Sequence, residues 1–228
     1  MTASKSFLVE KIHHGIDPFA FYVASPSNID MQGWNSNHPY LSSLVGKLRP
    51  LKIAEIGVWK GGSAITMANA LRENDINGVV LSIDTFRGSP EHWQVPEHFK
   101  KMNVINGIPG IYDNFMTNVI SKSLQDYVLP LPVDSFTAFE ICKRHNLMFD
   151  LIHIDAGHEY SSVKNDLSIW SSLLNSNGAI LMDDYFWDDE KNVSTGWHGV
   201  ARAVNEFIEN NSKKVSFEHK GGKCIIQY

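Results

Sequence analysis

Only two cysteines, Cys142 and Cys224, occur in the chain, far apart and without metal-type spacing. That scarcity argues against a disulfide framework or a thiolate zinc site, and makes a reducing cytoplasm the simpler expectation. No run of 18 apolar residues is present, and Met1 to Glu10 has neither an apolar core nor a cleavage-like site. Neither a membrane span nor a secretory leader is expected. Positive charge is also short, with 20 lysines and arginines against 25 aspartates and glutamates and a pI near 6.0. Nucleic acid is not expected as the main partner, because phosphate binding needs a basic surface. Repeats, heptads and low-complexity tracts are absent too. What remains is an ordinary globular composition of 228 residues, enough for one domain with a single sizeable core.

Glycine, by contrast, is gathered where it carries meaning. Lys52-Ile-Ala-Glu-Ile-Gly-Val-Trp-Lys-Gly-Gly-Ser63 reads as an apolar strand that carries an acidic residue near its end and breaks into a glycine-rich loop. A helix follows, with Ser63 as its expected N-cap and Ala64, Met67, Ala68 and Leu71 forming one apolar stripe. A second strand, Val79-Val-Leu-Ser-Ile-Asp84, places a carboxylate where parallel α/β folds grip a ribose hydroxyl. Three nucleotide readings compete for the loop. A dinucleotide fingerprint needs glycine where Trp59 stands, and a phosphate loop needs lysine where Ser63 stands. The remaining set, Glu55 with Gly57 and Gly61, suits a nucleoside with a compact cationic tail, a description that S-adenosylmethionine fits.

Strands and helices alternate along the chain as in a parallel sheet. The expected fold is α/β, Rossmann-like and doubly wound, with a mostly parallel seven-stranded sheet, an antiparallel C-terminal strand and an N-terminal helical cap. Residues 1–48, with Trp34 and Tyr40, form that cap, a substrate-covering segment. Residues 49–228 form the cofactor-binding domain. Within it, about 87–110 is a long proline-bearing excursion with His92, Trp93, His98 and Phe99, read either as a substrate lid or as surface decoration. Lys214 to His219 and Cys224 to Tyr228 read as two short strands joined by a glycine turn.

Met148-Phe-Asp-Leu-Ile-His-Ile-Asp155 and Gly178-Ala-Ile-Leu-Met-Asp-Asp184 are hydrophobic strands that end in carboxylates. A helix between them, with Val163, Leu167, Trp170 and Leu174 on one face, makes them parallel neighbours. Asp155, Asp183 and Asp184 then meet at the sheet edge where such folds bind ligands. They suit a divalent cation such as Mg2+; alternatively, they cap the turns that follow. His158, three residues past Asp155, suits a general base or else bonds its neighbours within a loop. His153, flanked by Ile152 and Ile154, reads as a core histidine. Tyr185, Trp187 and Trp34 line an acceptor pocket or are packing aromatics.

Glu55-Ile-Gly-Val-Trp-Lys-Gly-Gly-Ser63, Ile83-Asp-Thr-Phe-Arg-Gly-Ser-Pro-Glu-His-Trp93, Leu151-Ile-His-Ile-Asp-Ala-Gly-His-Glu-Tyr160 and Met182-Asp-Asp-Tyr185 resemble the class I S-adenosylmethionine-dependent methyltransferases of the family 24 group. That group is similar to macrocin-type sugar O-methyltransferases and cephalosporin-hydroxylase-like proteins, and the resemblance reaches Trp197-His-Gly-Val-Ala-Arg-Ala-Val-Asn-Glu-Phe207. It implies that Glu55, Gly57 and Gly61 line the methionine end and that Asp84 takes the ribose. Asp134 and Ser135 hold the adenine, and Ser63, Thr85 and Asp155 complete the cofactor wall. Asp155, Asp183 and Asp184 would hold Mg2+, and His158 would take the proton of a hydroxyl during methyl transfer. Catechol-type relatives carry a lysine at the place of His158, and some sugar enzymes use a nearby aspartate, so this base departs from their pattern. The expected activity is O-methylation of a small hydroxylated metabolite, a sugar or a phenol, in a chain that acts alone or as a homo-oligomer. The alternative is a non-catalytic cofactor-binding or regulatory relative.

Overall fold

The computed structural model describes residues 1–186, 198–211 and 215–227. Among these residues seven strands form one sheet: β1 (Lys52–Ile56), β2 (Val79–Ile83), β3 (Val128–Leu131), β4 (Phe149–Ile154), β5 (Leu174–Met182), β6 (Ser216–Lys220) and β7 (Lys223–Gln227). Their order is β3-β2-β1-β4-β5-β7-β6, with β1 to β5 parallel and β7 antiparallel to both β5 and β6. This is the doubly wound Rossmann-like fold that the alternating pattern implies. Strand order reverses between β1 and β4, where such sheets open a crevice at their carboxyl ends.

Both faces of the sheet are covered, which explains why the central strands are almost continuously apolar. On one face lie α1 (Ala3–His13), α7 (Ser135–Arg144), α8 (Tyr160–Trp170) and α9 (His198–Asn211), packed through Leu8, Phe139, Leu167, Trp170 and Val204. The other face carries α2 (Pro39–Leu48), α3 (Gly62–Glu73) and α6 (Ile111–Ser121), packed through Leu41, Val45, Met67, Leu71 and Phe115. Each such large apolar side chain contributes about 1.5–3 kcal/mol on burial. The excursion after β2 contains two short helices, α4 (Pro90–Gln94) and α5 (Pro96–Lys101), each started by a proline at its first position. None of the described helices is long and apolar enough to cross a membrane.

Two local readings change. Gly61, not Ser63, is the N-cap of α3, at φ 88°, a left-handed conformation that suits glycine. Ser63 therefore falls inside the first turn, and its hydroxyl donates to Glu55. Leu174 does not continue α8: a 3-10 turn, Ser171–Leu173, closes the helix, and Leu174 begins β5. It is buried all the same, so its apolar character served the strand start as well as it would have served a helix.

Candidate active site

A cavity of about 410 Å3 opens at the crevice between β1 and β4, a size within the range of small-molecule sites. Its inner wall is the loop after β1. Asp84 organises that loop, because its Oδ2 accepts from Val58 N at 2.8 Å and Trp59 N at 2.9 Å, while Oδ1 accepts from Phe86 N at 2.7 Å. Trp59 holds φ 53°, a left-handed conformation uncommon outside glycine. Gly57, at φ 86°, could not carry a side chain: a Cβ there would collide with the backbone of Asp155 and Ala156. The loop glycines thus serve close approach of β1 to β4 and of the loop to Phe115, which lies against Gly61.

Gly57, Ser63, Asp84, Thr85, Asp134, Ser135, Asp155 and His158 line the cavity, as do Asp183 and Asp184. Glu55 and Gly61 do not reach its wall among the described residues. Glu55 is fully buried beneath the loop, its Oε1 bonded by Ser63 and 3.3 Å from His153 Nδ1. Burial pushes its carboxyl up to about 8, opposed by the Ser63 bond and Lys223. At the far end Asp134 caps α7, accepting from Thr137 N at 2.9 Å and Thr137 Oγ1 at 2.7 Å, bonds that lower its pKa. Ser135 donates to Asp166 at 2.5 Å and accepts from Trp170 Nε1 at 2.9 Å, so its hydroxyl ties α7 to α8.

At the β4 and β5 ends, ligand atoms of Asp155, His158 and Asp184 lie within 4.8 Å of one another, as do those of His153, Asp155 and Asp183. His158 Nε2 is 2.9 Å from Asp184 Oδ2. Burial, then the facing Asp183 and Asp184, hold the Asp155 carboxyl well above the usual range. Burial is the larger cause, and the two facing carboxylates add to it. A mostly oxygen donor set with surplus negative charge fits a hard divalent cation. His153 is a core histidine, but not a fully satisfied one: burial pushes it down to about 3, and Nε2 has no hydrogen-bond partner among the described residues. Asp183 pairs with Lys223, a fully buried lysine that reading the sequence missed. Its only signal was a lysine standing just before the apolar Cys224-Ile-Ile226 run.

The outer wall comes from Gly33, Trp34, Asn35 and Ser36, with the excursion, and residues 30–32 anchor that segment to the glycine loop. Lys60, buried in the loop, holds Asp30 at 2.6 Å, and Trp59 Nε1 donates to Gln32 at 3.0 Å. Trp34 sits 5.6 Å from Trp59, 6.0 Å from His92 and 5.9 Å from His98, ring centre to ring centre, and His92 stacks on Trp59 at 4.4 Å. His92 and His98 face the cavity, whereas Trp93 and Phe99 pair with each other outside it. Tyr185 is not on the cavity wall. It is buried under the β6–β7 hairpin against Phe217 and His219, and its hydroxyl donates to Asn205. Trp187 lies outside the described residues.

Residues 54–185, more than half the chain, match a family model described as a methyltransferase domain, family 24. The uncharacterized protein y4gI of Sinorhizobium fredii is 27% identical over 153 residues, covering 66% of this chain but only 15% of that protein. Among solved structures, an O-methyltransferase from Bacillus cereus in complex with SAH superposes with a TM-score of 0.58 at 16% identity, covering 99% of this chain and 97% of that one. TomG of Streptomyces achromogenes, an O-methyltransferase involved in tomaymycin synthesis and solved with SAM, gives 0.58 at 13%, covering 100% and 90%. These likenesses establish a shared fold. The family match runs from the strand that opens the glycine loop to Tyr185, just past the paired aspartates, and on that span the chain belongs to methyltransferase family 24.

Proposed function

We propose that the chain is an S-adenosylmethionine-dependent O-methyltransferase acting on a small hydroxylated metabolite, a sugar or a phenol, with help from a divalent cation such as Mg2+. The observation that carries this reading is that one cavity joins the glycine loop to the Asp155, His158 and Asp184 cluster. The reaction breaks a carbon–sulfur bond and forms a carbon–oxygen bond, the sulfur keeping the electron pair. A bound cation would supply Lewis acidity that favours loss of the hydroxyl proton. Asp155, Asp183 and Asp184 are the residues suited to hold it. His158 takes the proton, and Asp184, 2.9 Å from its Nε2, orients the ring. Gly57, Ser63, Asp84 and Thr85 form the cofactor wall, with Asp134 and Ser135 at the adenine end, and holding the two reactants in line supplies much of the remaining acceleration. Glu55 acts from beneath this wall, through Ser63. Small molecules, rather than nucleic acid or membrane, are the proposed partners. Two buried free thiols, Cys142 and Cys224, suit a reducing cytoplasm.

The test is calorimetry of S-adenosylhomocysteine with and without Mg2+, followed by transfer of labelled methyl to a panel of sugars and phenols. Binding with metal-dependent turnover is expected. Absence of any S-adenosylhomocysteine binding would sink the reading, and binding without turnover on any acceptor would favour a non-catalytic relative.

A further inference from the structure

Lys223 has no surface role, since its side chain is wholly buried. The pairing of Met182 with Cys224 sets Lys223 directly across from Asp183, just past the end of β5, on the face that also carries His153 and Glu55. Its ammonium bonds Asp183 Oδ2, and the other oxygen of Asp183 accepts from Asp184 N at 2.9 Å. His153 Nε2 stands 4.0 Å from the same Oδ2. The backbone beside Lys223 is itself fixed, because Gly222 O accepts from Tyr185 N at 2.8 Å and Gly221 O from Asn35 Nδ2 at 3.2 Å. The hairpin turn therefore delivers the ammonium to one defined point.

Burying a lysine and an aspartate together is a poor way to gain stability, as apolar side chains of similar volume commonly do as well or better. An explanation must come from what Asp183 does. Asp155, Asp183 and Asp184 carry three negative charges when ionised, and Lys223 balances one of them. Two remain, the charge of one divalent cation. Carboxylates that hold metals are themselves commonly held by hydrogen bonds from a surrounding layer of residues.

Resting on the metal-assisted reading above, we infer that Lys223 is a positioning residue for the cation centre: it fixes Asp183 as a ligand and sets the charge of the centre to match one divalent ion. The C-terminal hairpin is by this account part of the reaction centre, although it lies beyond the matched family span.

The experiment compares wild type, K223M and K223Q in Mn2+ binding, followed by electron paramagnetic resonance, and in metal-free S-adenosylhomocysteine binding by calorimetry. Thermal melting with S-adenosylhomocysteine checks folding. Mn2+ affinity should fall about 10- to 100-fold in K223M, while S-adenosylhomocysteine affinity stays within about threefold of wild type. K223Q, which keeps a donor without the charge, should fall between. In a D183N background, adding K223M should cost nothing further if Lys223 acts through Asp183. Removing a positive charge could by itself tighten cation binding, so unchanged or tighter Mn2+ binding in folded K223M overturns the inference. Failure of both variants to fold assigns Lys223 to the fold and overturns it as well. A wild type that binds no Mn2+ overturns the metal reading itself, a result distinct from wild-type binding that K223M leaves intact.

Discussion

His158 and Asp184 form a pair at the cavity wall, 2.9 Å apart and each partly open to solvent. If His158 takes the acceptor proton, its loss removes a transition-state contribution without disturbing the loop that Asp84 organises. His158→Ala is expected to lower kcat by about 10²- to 10⁴-fold, with S-adenosylhomocysteine affinity unchanged, on an acceptor found in the panel. A change confined to KM would make His158 a wall residue. At this scale the sequence was readable where side chains close in sequence stand at strand ends: Asp84, Asp155, Asp183 and Asp184 all line the cavity. It was unreadable where the decisive neighbour is remote. Glu55 is two residues before Gly57 in the loop motif, yet it still belongs to β1, whose register with β4 sets it beneath the loop beside His153, 98 residues on. Lys223 meets Asp183 only because the last strand folds back beside β5.

At the scale of elements, the alternation of apolar strands and helices made a mostly parallel sheet legible, with β4 and β5 as neighbours, because period and spacing are local properties; the full strand order is not local and came only with the structure. The attachment of residues 30–36 to the glycine loop is not local and was missed. Asp30 is held at its backbone by Asn118, and its carboxylate by Lys60, a contact between a buried ammonium and a partly exposed carboxylate. The two partners therefore differ in what their loss leaves behind. Removing Asp30 strands a buried positive charge, whereas removing Lys60 leaves a carboxylate that water can reach. Asp30→Ala should destabilise the protein by about 1–3 kcal/mol more than Lys60→Met in urea unfolding. The opposite order would mean that the 30–36 segment does not cover Lys60 in solution.

At the scale of the whole molecule, a polar row crosses the mostly apolar α2–α3 face of the sheet, with Ser82, Glu55 and His153 side by side in register. Glu55 Oε2 and Ser82 Oγ lack hydrogen-bond partners among the described residues, so this row is held against its own desolvation by the packing around it. Its titration should be visible in global stability. Glu55 is raised from 4.5 to about 8 in the folded protein, so the folded state holds this proton more tightly. The resulting stability is full below pH 4.5 and is lost as pH rises toward 8. His153 runs the other way: lowered from 6.5 to about 3, it contributes stability above pH 6.5 that is lost as pH falls toward 3. The two slopes oppose each other between 4.5 and 6.5, and above 6.5 the acid's slope stands without the histidine's. Asp155, raised as well, acts in the same sense as Glu55. Ligand-free protein should thus lose stability from pH 6.5 to 8, with Glu55 contributing at most about 1.4 kcal/mol per pH unit. Glu55→Gln, which keeps the shape and cannot ionise, should flatten that limb in urea unfolding at a series of pH values. An undiminished slope in the variant would mean that Glu55 is already ionised in the folded protein and that Ser63 and Lys223, not burial, control it.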